Sequence, residues 1–224
     1  MGPRSSSGLS LIELLVGTAI GLTIVAAGTL IVVSNVRENR ALLIEARLMQ
    51  DLRTAADIVT RDLRRAGYWA ASASGVRDDD GRAVVANPYA AVMPDMAASD
   101  AVSLSFSRDA SENGTVDSNE QFGFRLRNGA IELQLGESNW QALTDPATLA
   151  VTTFSVEPRT EETSLASFCA EPCAAASTTC PPRQQIKSFA VAIAGRSALD
   201  ASVRRSVQSA VRLRNVSVFG SCEG

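Results

Sequence analysis

The sequence predicts an α+β protein in which one long N-terminal helix packs its second half on an antiparallel β-sheet domain. Three patterns predict this architecture. Residues 9–33 are apolar apart from one charge, Glu13, and are long enough to span a membrane as a helix. A single apolar stripe continues through residues 35–67. Beyond residue 100, apolar and polar residues alternate, which is typical of strands with one buried face.

The helical pattern continues past the membrane-spanning segment without a break. Residues 35–66 contain neither proline nor glycine, and Gly67 follows a basic last turn, where it is suited to a helix C-cap. Apolar residues recur at steps of three and four, which places them on one helix face: Ile44, Leu48, Leu52, Ala55, Val59 and Leu63. We therefore assign residues 9–34 to a membrane-spanning helix, residues 35–67 to its amphipathic second half, and residues 68–224 to the sheet domain.

The clearest strand pair is a hairpin at residues 121–135. Asn128-Gly129 lies at its centre, and Asn-Gly is the preferred pair for a two-residue type I′ turn. This turn predicts the pairs Leu126–Ile131, Phe124–Leu133 and Phe122–Leu135 on one face, with Arg125 opposite Glu132 on the other. Further strands are predicted at residues 102–106, 149–156, 186–194 and 207–215, and residues 70–99 read as a long loop.

Four cysteines fall in the part of the chain that would lie outside the membrane. They are Cys169, Cys173, Cys180 and Cys222, and an even number in an exported chain suggests two disulfides. Of the three pairings we favour Cys173–Cys180, which closes a short loop, with Cys169–Cys222. Zinc is the alternative, although the spacings differ from the usual paired pattern. Residues 157–183, which hold three of the cysteines, are predicted to be a loop.

A polar connection between two predicted strands has the spacing of an EF-hand calcium loop. Over twelve residues it places candidate ligands at Asp109, Ser111, Asn113, the Thr115 carbonyl, Asp117 and Glu120, with glycine sixth. Ser111 stands where Asp or Asn is usual, and the flanks are strands rather than helices. An ordinary polar connection is the alternative. Ca²⁺ is the one cofactor that the sequence suggests.

Several classes of function find no support in the composition. The chain has no histidine, which excludes a Ser-His-Asp triad and His-ligated metals, and it has no glycine-rich phosphate loop or nucleophile elbow. We therefore expect no enzymatic activity, with a signal-anchored periplasmic enzyme as the alternative. The net charge of −3 gives no global reason to expect nucleic acid. An arginine cluster near the C-terminus is a weaker hint of DNA binding, which a solvated sheet face explains equally well: Arg204, Arg205, Arg212 and Arg214.

The N-terminus resembles the processing site of type IV prepilins and pseudopilins. The resemblance lies in Gly8, Leu9 and Glu13, although Leu9 stands where that family most often has phenylalanine. It implies that residues 1–8 are a leader removed by prepilin peptidase, and that Leu9 becomes the N-methylated mature N-terminus. Glu13 is fifth in that mature chain and would act in assembly, where the α-amino group of a neighbouring subunit would neutralise its charge.

Two further motifs resemble the PilW-type minor pilins. Residues 60–68 run from Thr-Arg-Asp-Leu-Arg into Ala-Gly-Tyr, and residues 211–215 read Val-Arg-Leu-Arg-Asn. The resemblance implies a structural protein that takes part in assembly or priming of the type IV pilus. Its partners would be other major and minor pilins, prepilin peptidase and the inner-membrane assembly machinery. It would cross the inner membrane once, with its C-terminal domain in the periplasm, and later enter the filament or tip. A type II secretion minor pseudopilin is the close alternative.

Overall fold

A computed structural model describes residues 10–75, 84–108, 112–174 and 177–222 of the chain. Helix α1 runs from Leu11 to Arg65, within two residues of its predicted limits. The chain forms two compact units that meet at Ile44 and Glu45. In the first unit, α1 is exposed along residues 10–43. The second unit contains the rest of α1 and all of the strands.

The predicted apolar stripe of α1 forms the centre of the core of the second unit. Five of its six residues are buried, and the sixth, Ile44, is partly buried. Leu48, Leu52, Ala55, Val59 and Leu63 are each at most 2% exposed. Burying each leucine contributes about 1.5–3 kcal/mol relative to leaving it in water. The spacing of the stripe therefore decides which face of α1 meets the sheets.

Side-chain amides from two distant segments bind the carbonyl groups that directly follow α1. Gly67 adopts a φ of +74°, the left-handed conformation predicted for a C-cap, and its N–H donates to the Ser105 carbonyl at 2.9 Å. The Asn87 side-chain amide donates to the Gly67 carbonyl at 2.9 Å, and that of Asn215 donates to the Ala66 carbonyl at 2.9 Å. We call this arrangement the Gly67 junction. It brings together the two motifs that resemble the PilW-type minor pilins.

The strands form two antiparallel four-stranded sheets. The first has the order β1-β2-β3-β4, with β1 at Ala101–Ser105, β2 at Gln121–Arg127, β3 at Ala130–Leu135 and β4 at Trp140–Ala142. In the second, β5 (Leu149–Ser164), β6 (Arg183–Ser197) and β7 (Arg204–Arg212) are consecutive, and β8 (Ser217–Phe219) also pairs with β6. Short 3₁₀ helices lie at Ser72–Gly75, Ser118–Glu120 and Ala166–Phe168. The α+β class is confirmed, with two sheets where the sequence pattern indicated one.

The predicted hairpin is confirmed as β2 and β3. The register pairs Leu126 with Ile131, Phe124 with Leu133 and Phe122 with Leu135, as expected. Asn128 and Gly129 have φ values of 51° and 74°, which a type I′ turn requires. On the opposite face, Arg125 Nε lies 2.7 Å from Glu132 Oε2.

The prediction of a loop over residues 157–183 was wrong. Strand β5 continues to Ser164 and β6 begins at Arg183, so the loop covers only residues 165–182. Residues 157–164 pair with residues 183–190 in a continuous ladder. From Arg159 to the end of β5 every side chain is exposed, so this part of the strand lacks the apolar alternation that marks a strand with one buried face. Strand β7 also begins and ends three residues earlier than predicted.

The two sheets share one core with α1, and backbone hydrogen bonds link them at two points. Ser99 and Val156 exchange backbone hydrogen bonds of 3.1 and 2.8 Å, and the Val151 N–H donates to the Gly129 carbonyl at 2.8 Å. Phe124 and Phe189 are almost completely buried, one from each sheet. The second unit is therefore one continuous core rather than two stacked modules.

Candidate functional site

The first unit is a helix whose surface is compatible with lipid. Its best 18-residue window has a mean hydropathy of 2.2, and none of that window is buried. Three threonine hydroxyls interrupt the apolar surface, and each donates to a carbonyl of the preceding turn: Thr18 to Leu15 at 3.0 Å, Thr23 to Ile20 at 2.7 Å and Thr29 to Val25 at 2.8 Å. Because these polar groups are satisfied within the helix, they add little cost in an apolar environment. The helix could serve as a membrane anchor.

Glu13 is the one charged residue of this apolar segment. It lies exposed in the first turn of α1, where the helix dipole favours a carboxylate. Among the described residues it makes no hydrogen bond or ion pair. Gly8 and Leu9 lie outside the described residues, so cleavage and methylation there stay predictions. A charge on a lipid-compatible helix is costly, which makes Glu13 a candidate for pairing with a group of opposite charge.

Two disulfides close the loop at residues 165–182. Cys169 pairs with Cys222 at an S–S distance of 2.01 Å, and Cys173 pairs with Cys180 at 2.02 Å, which is the pairing that the sequence favours. The sulfur atoms of Cys169, Cys173 and Cys180 all lie within 4.8 Å of one another. Both disulfides consume the thiols that the zinc alternative would require as ligands.

The longer disulfide should stabilise the protein more than the shorter one. We expect the Cys169→Ser/Cys222→Ser variant to lose about 4 kcal/mol of unfolding free energy, and Cys173→Ser/Cys180→Ser about 2.5 kcal/mol, because the larger closed loop removes more entropy from the unfolded chain. The separations are 53 and 7 residues. Urea unfolding of the full chain in detergent, without reductant, measures both values. An equal loss, or free thiols at all four positions in exported protein, would contradict the expectation.

Among the residues that the structure describes, the predicted calcium ligands do not come together in one group. Asp109 and Ser111 lie outside the described residues. The Asn113 side-chain amide donates to Asp117 Oδ2 at 2.8 Å, so these two side chains pair with each other near the surface. The Glu120 carboxylate is instead fully buried. It accepts the N–H groups of Arg108 at 2.8 Å and Asp117 at 3.0 Å.

Sequence reasoning missed the residues that surround Glu120. The Tyr89 hydroxyl donates to Glu120 Oε2 at 2.7 Å, and Glu112 lies on its other side. Burial raises the pKa of Tyr89, and hydrogen bonds to the two glutamates raise it further, so the phenol keeps its proton at neutral pH. Burial also raises the pKa of Glu120, but the N–H donors of Arg108 and Asp117 outweigh it, and the net pKa is lowered. Tyr89 is the one aromatic residue in the Ala-rich segment 70–99, a signal that sequence reasoning did not use.

The arginine cluster does not form one continuous basic surface. Arg205 Nε donates to Glu45 Oε1 at 3.0 Å, so its charge is compensated on the helix-facing side of β7. Arg204 and Arg212 are exposed on the opposite face. The Arg214 backbone N–H donates to the Arg64 carbonyl at 3.5 Å as part of the Gly67 junction. A solvated strand face accounts for this pattern.

A long apolar N-terminal helix with an acidic first turn, packed through its second half on antiparallel sheets, defines a pilin-like protein. The family model of prepilin peptidase-dependent protein B matches residues 41–213, well over half of the chain. The chain therefore belongs to the prepilin peptidase-dependent protein B family. No curated protein and no solved structure matches it. Because the match begins at residue 41, it is independent of the Gly8 to Glu13 motif, which indicates the same class.

Proposed function

We propose that this protein is a PilW-like minor pilin that takes part in assembly or priming of the type IV pilus. Its role is structural, with no catalytic site of its own. The proposal is supported by a family match over the globular part and by a separate prepilin-like motif at the N-terminus. The exposed apolar surface of residues 10–33 supports a segment that lies first in the inner membrane and then among the helices of a filament.

The observation that carries the proposal is the unpaired carboxylate of Glu13 on this exposed apolar helix. Cleavage after Gly8 would create a new α-amino group at Leu9. In a filament, the α-amino group of a neighbouring pilin would lie at the right depth to neutralise Glu13, and removing one member of such a buried pair leaves an uncompensated charge. Prepilin peptidase would supply that amino group, and the inner-membrane assembly machinery would bring the two pilins together.

Incorporation into pili tests the role of Glu13. We expect the Glu13→Ala protein to be cleaved normally but recovered in sheared pili at least about tenfold less, because an unpaired buried charge costs about 3–5 kcal/mol. Glu38→Ala, on the same helix but beyond the apolar run, is the matched control and should incorporate normally. The measurement is the ratio of sheared to membrane-bound protein by immunoblot. Normal incorporation of Glu13→Ala would contradict the assembly role.

A type II secretion minor pseudopilin is the alternative, since it would share the N-terminal motif. The junction between residues 60–68 and residues 211–215 favours the pilus, because both motifs resemble the PilW type and the structure joins them through Asn215. Deleting the gene separates the two functions. We expect loss of surface pili with normal secretion of folded periplasmic substrates, and the opposite outcome would assign the protein to secretion.

A further inference from the structure

The hydroxyl group of Tyr89 lies among three acceptor oxygens. Glu120 Oε2 is 2.7 Å away, Glu112 Oε1 is 3.1 Å away, and the Thr115 carbonyl oxygen is 3.1 Å away. A phenol has one proton to donate, and neither a carbonyl nor an ionised carboxylate has any. At most one of the three contacts can be a full hydrogen bond. The other two bring oxygen lone pairs together.

The two carboxylates are also without a positive partner. Glu112 Oε1 accepts the Gly114 N–H at 2.9 Å, and Glu120 accepts the N–H groups of Arg108 and Asp117, so both carboxylates act as hydrogen-bond acceptors. In the part of the chain that the structure describes, neither forms an ion pair with arginine or lysine. Glu120 is completely buried. Buried charges in proteins are paired or coordinate metals, yet among the described residues no cation pairs with the buried Glu120 or with the partly buried Glu112.

A further polar group in the same place lacks a partner. Ser107 is 5% exposed, and its hydroxyl lies beside the Glu112 carboxylate. Yet Ser107 Oγ and Glu112 Oε2, both buried atoms, have no partner at hydrogen-bonding geometry within the part of the chain that the structure describes. Unsatisfied polar atoms are rare in protein interiors and call for an explanation such as an ion. Here two of them adjoin the crowded oxygens around Tyr89.

We propose that Glu112, Glu120, the Thr115 carbonyl and the Tyr89 hydroxyl form a calcium-binding site, with Ser107 at its edge. Oxygen atoms about 3 Å apart are the spacing of neighbouring ligands around a cation with Ca–O distances of about 2.3–2.6 Å. Calcium takes six to eight oxygen ligands in flexible geometry, including waters, whereas magnesium demands a near-ideal octahedron at shorter distances. The cation would neutralise both carboxylates and would coordinate the oxygen atoms, whose lone pairs otherwise repel one another.

This ligand set differs from the one that the loop spacing suggests. It retains Glu120 and the Thr115 carbonyl, replaces the paired Asn113 and Asp117 with Glu112, and adds Tyr89 from a segment more than twenty residues earlier. The site would therefore fasten residues 112–120 to the segment that Asn87 attaches at the Gly67 junction. The inference does not depend on a role in the pilus.

Calorimetric titration of the full-length protein in detergent with CaCl₂ tests the proposal. We expect one site with a dissociation constant of about 10⁻⁴–10⁻³ M, the range of extracellular calcium modules. Glu112→Gln should raise this constant at least about tenfold, since calcium affinity follows the number of charged ligands. Asp117→Asn is the matched control, because Asp117 pairs with Asn113 outside the proposed ligand set, and it should leave the constant unchanged within about twofold.

The variants distinguish this site from the loop-spacing alternative. If Asp117→Asn abolishes binding and Glu112→Gln does not, the ion belongs to the EF-hand spacing and the proposal is overturned. No heat with wild-type protein at millimolar calcium also overturns it. Tyr89→Phe provides a second check, because it removes the hydroxyl while keeping the buried ring, and it should weaken binding in protein whose circular dichroism is unchanged. Unaltered binding in both Glu112→Gln and Tyr89→Phe would count against the site.

Discussion

Replacing Leu63 with alanine is expected to lower the free energy of unfolding by about 2–5 kcal/mol. Leu63 is completely buried in the last turns of α1, where it belongs to the core that α1 shares with both sheets. Alanine removes the apolar contacts and leaves a cavity that the surrounding strands cannot fill without moving. Urea unfolding of full-length protein in detergent, followed by tryptophan fluorescence, measures the loss. Both tryptophans, Trp69 and Trp140, lie in the second unit and report on its unfolding.

Leu199→Ala is the matched control for this substitution. Leu199 lies between β6 and β7 with 67% of its surface exposed, so the same chemical change there should alter the unfolding free energy by no more than about 0.5 kcal/mol. A similar loss in both variants would mean that α1 does not provide the centre of the core. A small loss at Leu63 alone would mean that the sheets close around the cavity.

The second large effect concerns removal of the leader. We expect Gly8→Val to block cleavage completely, because the resemblance to prepilins places the peptidase cut directly after this glycine and a β-branched side chain would obstruct it. The uncleaved chain would lack the α-amino group at Leu9 and should be missing from sheared pili. Glu13→Ala should likewise be depleted from sheared pili. Intact-mass measurement distinguishes the two variants, since only Gly8→Val should retain residues 1–8.

Ser7→Ala serves as the control for the leader experiment, because it changes the neighbouring residue without affecting the glycine. It should be cleaved and assembled as wild type. The proposal of processing fails if wild-type protein, purified from cells with active prepilin peptidase, still carries residues 1–8. It also fails if Gly8→Val is cleaved as efficiently as wild type.

Local signals predicted the elements in which turn chemistry and burial agree. Asn128-Gly129 determines both the turn type and the register of β2 and β3, so the pairing of Phe124 with Leu133 followed from the sequence alone. The stripe that includes Leu52 and Leu63 likewise predicts the buried face of α1, since helical spacing and burial coincide there. The two disulfides have the pairing that the cysteine spacing favoured, although the spacing did not exclude the other two possible pairings.

Elements held only by tertiary context could not be read from the sequence. The last part of β5, from Glu157 onward, pairs with the first part of β6, and the side chains of this ladder are mostly polar. Backbone pairing alone leaves no periodic signal in the sequence. Glu120 lies in a polar run typical of a surface loop, yet it is buried and accepts a hydrogen bond from Tyr89, thirty-one residues earlier. No local pattern reports a partner at that distance. The candidate site around Tyr89 therefore required the structure.

The Gly67 junction also sets an order of events during synthesis of the chain. The carbonyl of Ala66 is bonded to an amide 149 residues further along the chain. At about 5–20 residues per second, that stretch takes on the order of 10 s to synthesise. Strands β6 and β7, which supply much of the core, arrive in the same interval. Under the proposed function, the anchored helix would therefore wait in the bilayer with its globular part still open, and chaperones and proteases outside the membrane would have that interval in which to act on it.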